Sequence, residues 1–341
     1  MALDVLYQAD SDAGLLRSKT FAVLGYGSQG RAHALNLRDE GAVVIVAQRS
    51  GSPNHALAVA DGFGPTSIPE AVKKADVLIL ALPDEAMGPI YAREIAPGMR
   101  AGQAMGFIHG FAIRFGMVSP PADVDVIMVA PKGPGSLVRS SYARGGGLTC
   151  LIAVQQDASG QARRLALAWG AAVGGGKGGM METTFADECE TDLFGEQTVL
   201  CGGIIELMKA AFDVLVEAGY PAELAYFECI HEVKQIVDLQ YAEGLGGMRR
   251  RISKTAAYGG LATGPRLITD ATREKMRAIL AEIRSGSFAR EWVAQCAAGR
   301  PRLEELLKTE SAHASEEAGR RVRQVVAKGH TPEAQADQRR A

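Results

Sequence analysis

The stretch Thr20-Phe21-Ala22-Val23-Leu24-Gly25-Tyr26-Gly27-Ser28-Gln29-Gly30 decides the fold. A short apolar, β-branched run meets a glycine-punctuated turn, which opens a helical pattern containing His33 and Leu37. In that setting each glycine has a task. The first permits a tight turn, the second lets backbone approach a pyrophosphate, and the third lets helix and strand pack closely. The phosphates then lie at a helix N-terminus, where unpaired N–H groups collect. A tight βα turn without a ligand is the alternative, and the position between strand and helix favours the dinucleotide.

Four more apolar runs extend the pattern: Val43 to Ala47, Val77 to Leu82, Val124 to Ala130 and Leu151 to Val154. They are continuous rather than alternating, which suits parallel strands covered on both faces. Helices are expected between them at Gln29 to Glu40, closed by Gly41, and at Pro69 to Lys74, where Pro suits the first turn. The result is a doubly wound α/β, Rossmann-type domain. At the glycine cluster Gly174 to Gly179 strand-like runs end, and from Asp192 onward apolar residues recur at helical spacing, as in Val199, Ile204, Ile205, Met208, Phe212 and Leu215. We therefore expect an α/β nucleotide domain over residues 1–180, an all-α domain over 181–326 and a polar, disordered tail over 327–341.

Composition narrows the function. A chain of 341 residues is long enough for two domains of about 150 residues. Lys and Arg number 37 against 39 Asp and Glu, so no broad basic surface invites nucleic acid or an anionic membrane. The five cysteines, at 150, 189, 201, 229 and 296, include no CxxC pair and fit a reducing compartment better than a disulfide framework. Asp4, Asp10 and Asp12 stand where a secretory signal would be basic, and no apolar run reaches the roughly 18 residues of a membrane span. A cytoplasmic protein acting on small molecules is expected.

The end of the second strand refines the cofactor. Ala47-Gln48-Arg49-Ser50-Gly51-Ser52 carries no acid for the ribose hydroxyls, whereas Arg49 can grip a 2′-phosphate, with the Ser50 and Ser52 hydroxyls as further donors. NADPH is the cofactor this predicts; a solvent-exposed loop arginine is the alternative. Leu82-Pro83-Asp84-Glu85 and Ala130-Pro131-Lys132-Gly133-Pro134-Gly135 follow other strands, at the end of the sheet where ligands bind. His109, in Gly106-Phe107-Ile108-His109-Gly110-Phe111, lies in a similar segment and is equally open to a structural role.

Two acidic pairs mark the second half, Asp192 with Glu196 and Glu228 with Glu232. On a helix the i, i+4 spacing puts both carboxylates on one face, where like charges repel unless a divalent cation compensates them. Oxygen ligands favour Mg²⁺ or Mn²⁺ over zinc. Acidic pairs more often line solvated faces, but the apolar neighbours Leu193, Phe194, Tyr226, Phe227 and Ile230 argue for buried helices, and buried acids need partners.

With these residues in view, the chain resembles ketol-acid reductoisomerase in its short, class I form. The resemblance runs from Gly25–Gly30 through His109-Gly110-Phe111, Val129-Ala130-Pro131-Lys132-Gly133-Pro134-Gly135, Glu182-Thr183-Thr184-Phe185 and Glu190-Thr191-Asp192-Leu193-Phe194-Gly195-Glu196-Gln197. It continues through Val216-Glu217-Ala218-Gly219-Tyr220 and Ala225-Tyr226-Phe227-Glu228 to Gly264-Pro265-Arg266. It implies a knotted helical second domain, a homodimer or larger homo-oligomer whose subunits complete each active site, and a place in valine and isoleucine synthesis. The implied reaction is a Mg²⁺-dependent alkyl migration in 2-acetolactate or 2-aceto-2-hydroxybutyrate, followed by NADPH reduction to the 2,3-dihydroxy acid.

Carried over by position, Asp192 would bridge two Mg²⁺ ions, Glu196 would serve the first, and Glu228 and Glu232 the second. His109, Lys132 and Glu196 would be catalytic and Ser253 would hold substrate. Gly25, Tyr26, Gly27, Ser28, Gln29, Gly30, Arg49, Ser50, Ser52, Asp84, Glu85, Ala86, Met87 and Gly135 would bind the cofactor. The chain departs from the family pattern at Ala112, Arg114 and Ser136, at Asn54 in the phosphate loop, and at Lys254, Ala257 and Gly260 beside Ser253. These changes leave open a different ketol or keto acid, and a non-catalytic nucleotide-binding oligomer is the remaining alternative.

Overall fold

The structure, a computed structural model, describes residues 4–328. The expected tail runs past the helix Ala314–Lys328, and its residues 329–341 lie outside the described residues. The chain divides into two compact units, residues up to Cys189 and residues from Glu190 onward. The dividing point falls within the helix Phe185–Gly195, beyond the glycine cluster.

The first unit is built on an eight-stranded sheet: β1 (Val5–Leu6), β2 (Thr20–Leu24), β3 (Val43–Ala47), β4 (Val77–Leu80), β5 (Ala104–Phe107), β6 (Asp125–Pro131), β7 (Cys150–Gln156) and β8 (Met180–Glu182). Their order is β1-β8-β7-β6-β5-β4-β2-β3. From β3 to β6 the pairing is parallel, but β7 runs antiparallel to β6 and β1 antiparallel to β8. The sheet is therefore mixed, which corrects the all-parallel expectation. A run buried on both faces looks alike in either direction, so burial could not reveal the reversal at β7. The glycine cluster also does not end the strands, because β8 follows it directly.

Alternation within each strand feeds two cores. Phe21 and Val23 of β2 join Val77 and Ile79 of β4 on one face, with Trp169 and Leu37. Ala22 and Leu24 join Leu78 and Leu80 on the other, with Tyr91, Phe107 and Phe185. Burying a side chain of this size contributes about 1.5–3 kcal/mol, so the central strands anchor the turns at their C-terminal ends. The helices Ser28–Asp39 and Ile68–Lys74 agree with the sequence to within a residue. Ser67 and Glu70 form a capping box that fixes the start of the second.

The second unit is helical, without a strand among its described residues. Its small core gathers Phe212 of Gly203–Glu217, Ala225 and Tyr226 of Ala222–Tyr226, and Ala318 and Val322 of Ala314–Lys328. Gly219 takes the left-handed φ of 91° that stops the helix Gly203–Glu217, as its position before Pro221 predicts. The long helix Val233–Arg251 breaks at Gly244 (φ 72°). No helix among the described residues is long and apolar enough to cross a membrane.

Candidate active site

The turn after β2 has the shape its glycines demand. Gly25 has φ 100°, and a Cβ there would lie 2.4 Å from the Ala81 carbonyl oxygen. A Cβ on Gly30 would lie 2.2 Å from the Gly25 carbonyl oxygen, so these two positions tolerate only hydrogen. Gly27 has open space around its missing Cβ and is the point where a pyrophosphate can approach backbone. Ser28 begins the helix Ser28–Asp39, and Gly135, at the start of Gly135–Ala143, is pressed so closely on Ser28 that a Cβ would lie 2.3 Å from it. Gln29 Nε2 donates to the Gly133 carbonyl (2.9 Å), while its buried Oε1 has no partner and remains available to a bound donor.

A cavity of about 790 Å³ opens at this end of the sheet, lined among others by Gly25, Tyr26, Gly27, Arg49, Ser50 and Ala86. Of the segment Asp84–Met87, Ala86 faces this cavity and Met87 packs in the core. Tyr26 is buried; its backbone N–H donates to Gln48 Oε1 (2.8 Å) and its hydroxyl to Asp61 Oδ2 (2.9 Å). Arg31 clamps the same carboxylate with both arms, at 2.6 and 2.9 Å. These bonds hold the helix Pro53–Ala60 and the loop before it against the glycine turn. Within that loop the Ser52 hydroxyl is already employed. It donates to the Arg49 carbonyl (2.7 Å) and accepts from Gln48 Nε2 (3.0 Å) and from the N–H of His55 (3.2 Å), capping the helix.

At the ends of β5 and β6 lies an arrangement that sequence reasoning missed at its centre. Glu188, about 1% exposed, receives Lys132 Nζ at 2.7 Å on one oxygen. Its other oxygen accepts the Gly110 N–H (2.9 Å) and meets His109 Nδ1 (3.0 Å). Burial alone would raise the Glu188 carboxyl, but His109 and Lys132 hold it down to about 2. Burial alone would lower the His109 imidazole, yet the Cys189 thiol and the Glu188 carboxylate reverse this and push it up to about 11. The carboxylate carries that effect, since the thiol stands 4.0 Å away and burial pushes its own pKa up, keeping it neutral. Glu188 thus holds two cationic side chains at the strand ends. Its sequence signal was its place four residues before Asp192, which extends the acidic i, i+4 ladder by one rung.

In the second unit one member of each acidic pair lies in a π-helical segment. Glu196 begins Glu196–Leu200, and Glu228 lies in Phe227–His231, with Glu232 capping its end. Single π-turns inside α-helices recur at functional sites because they re-aim side chains. The burial expected of these helices holds for Leu193 and Tyr226 but not for the carboxylates. Glu196, Glu228 and Glu232 are exposed, Asp192 is half-buried, and Phe227 is 42% exposed. Among the described residues no metal-sized grouping joins Asp192 or Glu196 to Glu228 or Glu232. Ser253 is exposed and caps the helix Lys254–Leu267, accepting from the N–H of Ala256 (3.1 Å).

A glycine-turn cradle on a mainly parallel sheet, followed by a helical unit, defines a dinucleotide-binding protein of two parts. Residues 15–179 match the model of the acetohydroxy acid isomeroreductase NADPH-binding domain, and residues 185–328 that of the ketol-acid reductoisomerase C-terminal domain. The chain belongs to the ketol-acid reductoisomerase family, and is thus an oxidoreductase. It is similar to an NADH-preferring ketol-acid reductoisomerase from an uncultured archaean, at 45% identity over 94% of this chain and 99% of that one, with a TM-score of 0.91. A semialdehyde dehydrogenase NAD-binding protein from Cupriavidus necator shares the fold at 23% identity and a TM-score of 0.61, over 78% of this chain and 99% of that one.

Proposed function

We propose that this protein is an NADPH- and Mg²⁺-dependent ketol-acid reductoisomerase, converting 2-acetolactate and 2-aceto-2-hydroxybutyrate to 2,3-dihydroxy acids for valine and isoleucine synthesis. The observation that carries this reading is the Glu188-centred pair of cations, His109 and Lys132, in a chain of this family that keeps Asp192, Glu196, Glu228 and Glu232. The all-oxygen donor set suits Mg²⁺, which would act there as Lewis acid on a carbonyl and its neighbouring hydroxyl. Lys132 supplies positive charge where a substrate oxygen becomes negative, and His109 holds a proton beside it. Ser253 presents a hydroxyl to substrate.

The open edge of Gly27 and the unpartnered Gln29 Oε1 fit a dinucleotide, and Arg49 with Ser50 supports NADPH over NADH. The archaean relative favours a second reading, NADH use, and the employed Ser52 hydroxyl leaves one donor fewer for a 2′-phosphate. The exposed carboxylates also support a site completed by a second copy of the chain.

The test is cofactor oxidation with 2-acetolactate, with and without Mg²⁺, beside 3-hydroxy-2-ketoisovalerate, which needs only reduction. Mg²⁺-dependent turnover of both is expected, faster with NADPH. Reduction of the keto acid without turnover of acetolactate would mean that the altered segment around Ser253 has changed substrate.

A further inference from the structure

The charge around Ser253 is one-sided. Between Glu243 and Asp270 lie five basic residues, Arg249, Arg250, Arg251, Lys254 and Arg266, and no acid, in a chain with 39 Asp and Glu against 37 Lys and Arg. Arg251 is paired with Glu243 at 2.8 Å. The side chains of Arg249, Arg250 and Lys254 make no hydrogen bond or ion pair among the described residues. Three arginines ending the helix Val233–Arg251 suit the negative end of its dipole. Lys254 does not, because it opens the helix Lys254–Leu267 at the positive end, where a cation is unfavourable and an anion is favoured. Nothing within the helix accounts for a lysine there.

Ser253, Ala257 and Gly260 follow one another at i, i+4 and i+7, and so share one face of that helix. A Cβ on Gly260 would collide with the Arg249 guanidinium, which lies against the backbone at that point. The face therefore carries the exposed Ser253 hydroxyl at one end, a guanidinium at the other, and only the methyl of Ala257 along the stripe between them. The rise from Ser253 to Gly260 is about 10 Å, which suits a short chain with an anionic group at each end.

Resting on the reductoisomerase reading above, in which Ser253 holds substrate, we propose that the preferred substrate is a dicarboxylic 2-acetohydroxy acid. Ser253 and Lys254 receive one carboxylate at the helix N-terminus, and Arg249 receives the other, with Arg250 adding to the positive field. 2-Acetolactate leaves Arg249 without a partner. The reaction itself is unchanged. The carbon chain bearing the second carboxylate moves from C2 to the neighbouring carbonyl carbon while the hydroxyl proton passes from one oxygen to the other, an isomerisation that gains and loses no atom. The new ketone at C2 then takes a hydride from the nicotinamide and one proton.

The experiment measures kcat/KM on the full chain, at saturating cofactor and Mg²⁺, for 2-aceto-2-hydroxyglutarate and 2-acetolactate. The ratio should favour the diacid at least about tenfold, the product of contacts to three exposed cations worth about two- to threefold each. Lys254→Gln should lower that ratio by about threefold, and Gly260→Asp, which sets a carboxylate beside Arg249, by at least as much, both through KM for the diacid. Titration calorimetry with 2-hydroxyglutarate and lactate, which do not isomerise, should give the same order of binding. A ratio of one or below, equal binding of the two hydroxy acids, or a ratio that neither variant lowers overturns the proposal and leaves the reductoisomerase reading standing. If neither ketol acid is turned over, that reading fails and takes this proposal with it. Circular dichroism of both variants separates loss of fold from loss of contact.

Discussion

At the residue scale the decisive group is Glu188. Removing one partner from a buried charge network costs about 3–5 kcal/mol, because the remaining charges stay buried without compensation. Glu188→Gln should therefore lower stability by about that amount, read by urea unfolding, and reduce turnover with KM less affected. The same variant should return His109 to titration near neutral pH, visible in its imidazole ¹⁵N shifts, whereas wild-type His109 stays protonated. The signs follow from the shifts. His109 is raised to about 11, so its contribution is full below the unfolded value of 6.5 and is lost as pH rises through about 11. Glu188 is lowered to about 2, so its contribution is full above the unfolded 4.5 and is lost as pH falls through about 2. Metal-free wild type should lose stability toward both extremes, and Glu188→Gln should flatten both limbs of that profile.

At the element scale the glycine turn separates structure from binding. Gly30→Ala drives a methyl into the Gly25 carbonyl and should destabilise the first unit by about 3 kcal/mol, since backbone on both sides cannot yield. Gly27→Ala meets open space at an ordinary φ of −76°, so its melting temperature should hardly move. Its KM for the cofactor should rise at least about tenfold, because the methyl stands where the pyrophosphate approaches. Paired thermal melts and cofactor titrations check both. At this scale the sequence was legible where a residue type admits one conformation: β2, β3 and the helix between them lie where the glycines and β-branched runs put them. It was illegible for β5, β8 and the π-turns. Ala104-Met105-Gly106-Phe107 has no strand-like composition, and its glycine is required because a Cβ would lie 2.7 Å from the Trp169 ring, a contact from far along the chain.

At the scale of the whole molecule, the second unit exposes apolar groups that a lone chain has no use for. Tyr241 is 91% exposed and Leu245 72%, on either side of the break at Gly244, and Tyr258 on the next helix is 77% exposed. Large apolar side chains so fully exposed suit an interaction surface. The proposed pairing of two copies predicts a dimer or larger assembly by analytical ultracentrifugation. It also predicts complementation. Asp192→Asn and Glu228→Gln should each be inactive alone, whereas a refolded equimolar mixture should recover about a quarter of wild-type activity, because half the dimers are mixed and each has one intact site. No recovery would place both pairs of carboxylates in one chain's site.

The sequence by itself determined the nucleotide cradle, the class of the two units and the identity of the acidic pairs, because these depend on local rules: φ at a glycine, period along a strand, spacing along a helix. Only the tertiary structure decided that Glu188 gathers His109 and Lys132, that β7 runs antiparallel, and that Glu196, Glu228 and Glu232 are exposed. Each of those depends on which distant residues become neighbours, and hydrogen bonds between residues 56 and 79 positions apart, like burial, leave no periodic trace in the chain.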